Sequence, residues 1–182
     1  MKFFTTTNSY DQPWAQVTAA HWQKYPNDIS KHVIAVDTIS RTVDPVTGVL
    51  RTERLLTSQQ PIPALVRRIF SAFSSSSSDS SSPHSSDVAY ALEVSEVDPR
   101  TQQCTCYSVN LTFCNIMRVR ERLRFATDDV NLGSTIFEQS AEVTATGALK
   151  RFAGYVEDFS ISRFASNAAL GRQGLQQVLD RL

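Results

Sequence analysis

Between residues 104 and 125 the chain alternates with a period of two, the pattern that gives a strand two different faces. In the first run Tyr107, Val109, Leu111 and Phe113 share one side, with Cys106, Ser108, Asn110 and Thr112 on the other. In the second, Val119, Leu123 and Phe125 oppose Arg118, Arg120, Arg122 and Arg124. A strand at 88–97 precedes them and one at 136–148 follows, with turns at 98–101 and 128–133. Consecutive strands joined by short turns pair antiparallel. From about 152 to 182 a long helix closes the chain, offering Phe152, Val156, Phe159, Leu175, Val178, Leu179 and Leu182 to a core. Its middle has little bulk, at Ala165, Ser166, Ala168, Ala169 and Gly171.

The first half supplies the remaining strands. Residues 1–10 read as a short strand. A helix opens at Asp11-Gln12-Pro13-Trp14, where Asp11 can cap and Pro13 suits the first turn, and it stops before Pro26. The β-branched residues of 32–43 predict a buried strand, and 49–57 returns as its hairpin partner beyond the turn at 44–48. Residues 61–73 predict a short amphipathic helix with Ile62, Leu65, Val66, Ile69 and Phe70 on one side. Eleven of the sixteen positions from 71 to 86 are serine, too few apolar groups to offset the entropy of ordering, so a flexible insertion is expected. The expected fold is α+β: a single domain, 1–182, with a curved antiparallel sheet of about seven strands covered by a long C-terminal helix and the first helix. A sheet curling around a helix leaves room for an apolar cavity between them.

Composition narrows the function. Eighteen basic residues balance eighteen acidic ones, which argues against nucleic acid as a partner, since phosphate contacts need a basic excess. No apolar run reaches the roughly 18 residues of a membrane span. Residues 1–7 read as neither a signal nor a transit peptide. Cys104, Cys106 and Cys114 are odd in number and lack a nearby histidine, so they read as small buried residues, with no disulfide framework and no metal site. No nucleophile elbow, phosphate loop or zinc-protease motif accompanies His21, His32 and His84, and no catalytic residue or cofactor is assigned.

Two basic sets remain. The arginine ladder at 118–124 fits either an anion-binding platform or a solvated face paired across strands. Glu138 and Glu142 alternate correctly to supply the pairing, which favours the solvated face. Arg163 and Asn167 lie four apart on one helix face, beside the small residues. Spacing alone favours a solvent-facing pair there; the room left by the small side chains points instead to a phosphate-sized ligand.

The sequence also resembles a known family. Asn8-Ser9-Tyr10, Trp14, Lys24-Tyr25-Pro26-Asn27, the run from His32 to Asp37, Arg51 to Leu56, Asn110-Leu111-Thr112, Val156 to Phe159, Arg163-Phe164 and Asn167-Ala168 are similar to the PRELI domain family of intramitochondrial phospholipid carriers. Its Slowmo-like, phosphatidylserine-carrying branch is nearest, with the phosphatidic-acid branch as competitor. The resemblance implies a helix-grip fold like those of phosphatidylinositol-transfer and steroid-binding domains. It implies residence in the mitochondrial intermembrane space, transient contact with anionic mitochondrial membranes, and a small helical partner with twin Cys-x9-Cys motifs. By matching position it implies that Lys24, His32, Arg54, Arg163 and Asn167 serve the lipid head group and that 61–73 is the lid. After Asn167-Ala168 the family often carries consecutive lysines before a glycine. This chain has Ala169-Leu170-Gly171, and only Arg172 stands in for that charge.

Overall fold

A computed structural model describes residues 1–59, 88–131 and 133–182. The expected lid residues Ile62, Leu65, Val66, Ile69 and Phe70, and the serine run at 71–86, lie outside the described residues. Seven strands form one antiparallel sheet: β1 (Lys2–Tyr10), β2 (Val33–Val43), β3 (Leu50–Gln59), β4 (Val88–Asp98), β5 (Gln103–Asn110), β6 (Met117–Thr127) and β7 (Thr135–Ala145). Their order is β1-β7-β6-β5-β4-β3-β2. Consecutive strands are neighbours except that β1 joins the far edge beside β7, and the curved sheet has a concave inner face. Two helices fill it, α1 (Trp14–Gln23) and the 27-residue α2 (Ala153–Leu179), entered through a 3-10 turn at Gly147–Phe152.

Several expectations change in detail. Val17 bonds back to the carbonyl of Pro13, which is the N-cap of α1, and no side chain caps it, so Asp11 does not have that role. The β2 strand is not buried. It is an edge strand with most of its residues exposed, including Ile34 and Ile39. β-branched composition favours extended backbone wherever it lies and does not report depth. Register slips at Val33/Ala35 and Thr38/Ser40 mark irregularities that bend this edge. Phe113 leaves the strand face predicted for it, because β5 ends at Asn110 and Phe113 turns the chain at a φ of 61°. The Asn110 side chain takes over the loop, accepting the Val119 N–H and donating to the Thr112 and Met117 carbonyls.

The core takes the apolar parity of β6 but the Cys104/Cys106 parity of β5, which leaves Tyr107 and Val109 on the outer face. Cys104, Cys106, Leu123, Phe125 and Phe137 from the sheet meet Tyr10, Trp14, Val17, Ala20, Leu175 and Leu179. Cys104 and Cys106 are buried small residues as expected, whereas Cys114 is exposed. Phe152 and Leu182, offered to the core by the sequence, are 46% and 62% exposed, since they stand just beyond the two ends of α2. The arginine ladder faces outward. Arg124 bonds Glu138 at 2.9 Å and Arg120 is in register with Glu142. That is the solvated, cross-strand-paired face.

Candidate functional site

The cavity between sheet and helix has a volume of about 330 Å³, at the small end of ligand pockets. Its α2 wall is Phe164, Asn167, Ala168, Gly171, Arg172 and Leu175. The small side chains singled out in the sequence therefore do leave space, and a Cβ added at Gly171 would meet only the Tyr25 hydroxyl at 3.8 Å. Lys24 and Tyr25 enter from the loop after α1, and His32 from the start of the edge strand. The sheet floor contributes apolar Leu123, Phe125 and Phe137, and a polar group made of Glu93, Ser108, Asn110, Glu121 and Gln139.

Of the five residues expected at the head group, the structure brings Lys24, His32 and Asn167 into the cavity wall. Arg163, one turn before Asn167, stands beside that wall with its guanidinium 6.0 Å from the Phe159 ring centre. Its charge is felt inside: burial first, then Arg163, lowers the His32 pKa below its ordinary value. Arg54 is placed differently. It is 4% exposed and bonds Glu93 Oε1 through Nε at 2.9 Å and Nη2 at 2.5 Å. Its guanidinium also lies over the Trp22 ring, 4.4 Å from the centre. So Arg54 neutralises the Glu93 carboxylate of the floor and does not itself line the cavity.

The sequence singles out none of Glu121, Gln139 and Tyr10 of this region, and Arg172 only as a stand-in for the missing lysines. Glu121 lines the cavity, accepting from Gln139 Nε2 at 2.6 Å and from Ser108 Oγ at 3.0 Å, and burial raises its pKa. The available signal is its parity: Glu121 falls in phase with Val119, Leu123 and Phe125, the one charge on the inward side of β6. Gln139 is 6% exposed and its Oε1 has no bonding partner among the described residues. Arg172 Nη1 and the Tyr10 hydroxyl are likewise buried and unpartnered there, and burial pushes the Tyr10 pKa up to about 12. Buried polar atoms without partners are uncommon in folded proteins, and three of them, on residues that line one cavity, can serve as donors and acceptors for a ligand.

A metal is poorly served nearby. His21 Nε2, Cys106 Sγ and a Glu93 oxygen lie within 4.8 Å of one another. The arginine bonded to Glu93 already supplies that spot with a positive charge, which opposes a divalent ion. The Cys104 contact and burial hold the Cys106 thiol well above its ordinary pKa, so it is not a thiolate. His21 is buried and held neutral by burial and by the charges of Lys24 and Arg54. The group packs as a polar part of the core.

The comparisons agree with this architecture. TTHA0849, a protein from Thermus thermophilus, superposes with a TM-score of 0.60 over 98% of this chain and 97% of its own, at 12% identity. That likeness shows the helix-grip fold alone. The mitochondrial protein UPS2 of Saccharomyces cerevisiae is 37% identical over 180 residues, covering 98% of this chain and 73% of that protein. The mitochondrial PRELI domain-containing protein 1 of Homo sapiens is 33% identical over 182 residues, covering 100% of this chain and 77% of that protein. The PRELI-like family matches residues 15–182, and with the fold, the cavity and these relatives in agreement, the chain belongs to that family.

Proposed function

We propose that the protein is a non-enzymatic phospholipid carrier that extracts phosphatidylserine and shuttles it between the outer and inner mitochondrial membranes. The observation that carries this reading is the cavity, with a cationic and amide-bearing wall over a floor that is part apolar and part polar. A diacyl lipid has about 30 methylenes, and at about 0.8 kcal/mol each their exposure to water would cost on the order of 25 kcal/mol. A carrier therefore has to cover the chains with apolar surface and answer the phosphate with donors. Lys24, His32, Asn167 and Arg172 are the donors in place, with Arg163 adding its field. Phosphatidic acid, which lacks the serine, is the competing cargo for the same donors. In this reading the protein works in the intermembrane space, touches anionic membranes transiently and is stabilised by a small twin Cys-x9-Cys helical partner.

Native mass spectrometry of the purified protein tests it. A co-purified phospholipid of one dominant head group is expected, and its mass names the cargo. Protein free of lipid that also takes none up from vesicles would remove the carrier reading in favour of an interaction scaffold. Turnover of a panel of fluorescent esters would make it a hydrolase instead.

A further inference from the structure

The floor of the cavity treats its two carboxylates differently. Glu93 is bonded twice by the Arg54 guanidinium and is thereby neutralised. Glu121 is hydrogen-bonded among the described residues only by neutral donors, the Ser108 hydroxyl and the Gln139 amide, and the Lys24 charge acts on it only through space. The Gln139 amide nitrogen is committed to that carboxylate, which leaves its oxygen as a second acceptor, on a side chain only 6% exposed and bonded to nothing among the described residues. A carboxylate and an orphan amide oxygen side by side form an acceptor-only site. A phosphate oxygen would be repelled there. A primary ammonium brings three N–H donors and a positive charge bonded directly to the carboxylate.

The opposite wall has the complementary deficit. Arg172 Nη1 is buried without an acceptor among the described residues, and Lys24 and His32 line the same space. A head group bearing both an anion and an ammonium satisfies both walls at once, whereas a bare phosphate leaves the floor unanswered. We propose that Glu121 and Gln139 form a subsite for the ammonium of the transported lipid, so that the carrier selects amine-bearing phospholipids over phosphatidic acid. This rests on the carrier reading above and adds the residues that would decide its cargo.

The test is transfer by the full chain between vesicles containing labelled phosphatidylserine, phosphatidylethanolamine or phosphatidic acid, for the wild type and for Glu121→Gln. Glutamine keeps the size and the hydrogen bonding while removing the charge. The ratio of phosphatidylserine to phosphatidic acid transfer should fall by about tenfold or more, the loss of one charge-assisted contact. Phosphatidylethanolamine should follow phosphatidylserine, and the melting temperature should not fall, because a buried charge has been removed. Gln139→Met deletes the orphan acceptor, and with it the donor to Glu121, in nearly the same volume, and should move the ratio in the same direction by about threefold to tenfold. An unchanged ratio in both variants, with transfer still measurable, overturns the subsite and leaves the carrier reading standing. A wild type that moves none of the three lipids overturns both. Free ethanolamine added to the assay should not compete; full competition would assign the site to a soluble amine and overturn its role in lipid choice.

Discussion

Arg163 and Arg120 make the sharpest contrast between single residues. The first adds its charge beside the cavity wall, and the second points to solvent in register with Glu142. Arg163→Ala should lower lipid transfer by roughly ten- to a hundredfold, as expected for a lost charge-assisted contact in a partly dry site, and the protein should still fold. Arg120→Ala should leave transfer nearly intact, and the reverse outcome would put the head group on the wrong side of the sheet. Arg54 behaves as neither of these. Arg54→Ala strands the buried Glu93 carboxylate, and a loss of about 3–5 kcal/mol in denaturant unfolding is expected, with Glu93→Gln in the same chain restoring a large part. His21 sets a pH dependence. Its folded pKa lies well below the ordinary 6.5, so the unfolded chain takes up the proton first and stability is lost as pH falls below about 6.5. By about pH 5.5 one such group has removed on the order of 1 kcal/mol. His21→Leu also removes a buried Nδ1 that has no partner among the described residues, and it should flatten this part of the pH profile of unfolding.

At the scale of one element, α2 contains two glycines with opposite expectations. A Cβ added at Gly154 would meet nothing within 4 Å, so Gly154→Ala should gain about 0.5–1 kcal/mol from helix propensity. A Cβ at Gly174 would lie 2.8 Å from Asn27 Nδ2. Asn27 is not an idle side chain: its Oδ1 accepts the Ile29 and Ser30 N–H groups, and its Nδ2 bonds the Lys24 carbonyl at 2.5 Å. Gly174→Ala therefore pushes on the loop that carries Lys24 and Tyr25 into the cavity. A net loss of about 1–3 kcal/mol is expected, together with slower lipid transfer, despite the favourable propensity. Thermal melting of the two variants side by side separates the effects.

For the molecule as a whole, a carrier whose cavity opens at the membrane exposes apolar surface there unless a partner covers it. Expressed alone, the protein should be poorly soluble, and addition of the proposed helical partner should raise both yield and melting temperature. Equal solubility and an unchanged melting temperature with and without that partner would count against the partnership. Lipid should act in the same direction, because a ligand that binds only the folded chain stabilises it by mass action. The Met1 amino group and the Ala145 N–H both bond Glu157 on α2, which ties the first strand, the last strand and the helix into one unit.

Local order was legible in the sequence because it is written in periods. Alternation located β5 and β6 and fixed the outward face of the arginine ladder, though not the end of β5 or which of its faces meets the core. The small-residue stretch of α2 foretold where space would be left. Depth and partnership were not legible. The β-branched run of β2 reads the same in a central strand as on the edge it occupies, since its burial depends on which strands arrive beside it. Arg54 looks like any cation in a head-group set until Glu93, 39 positions away, meets it behind the cavity lining to which only Glu93 contributes. Glu121 carried its signal in its parity, but the parity became meaningful only when Gln139 from the next strand and Arg172 from the helix closed the space around it. Periodicity is a property of neighbours along the chain, so the sequence alone determines it. Whether a charge is paired, orphaned or offered to a ligand depends on groups brought together by the tertiary fold, and only the fold decides it.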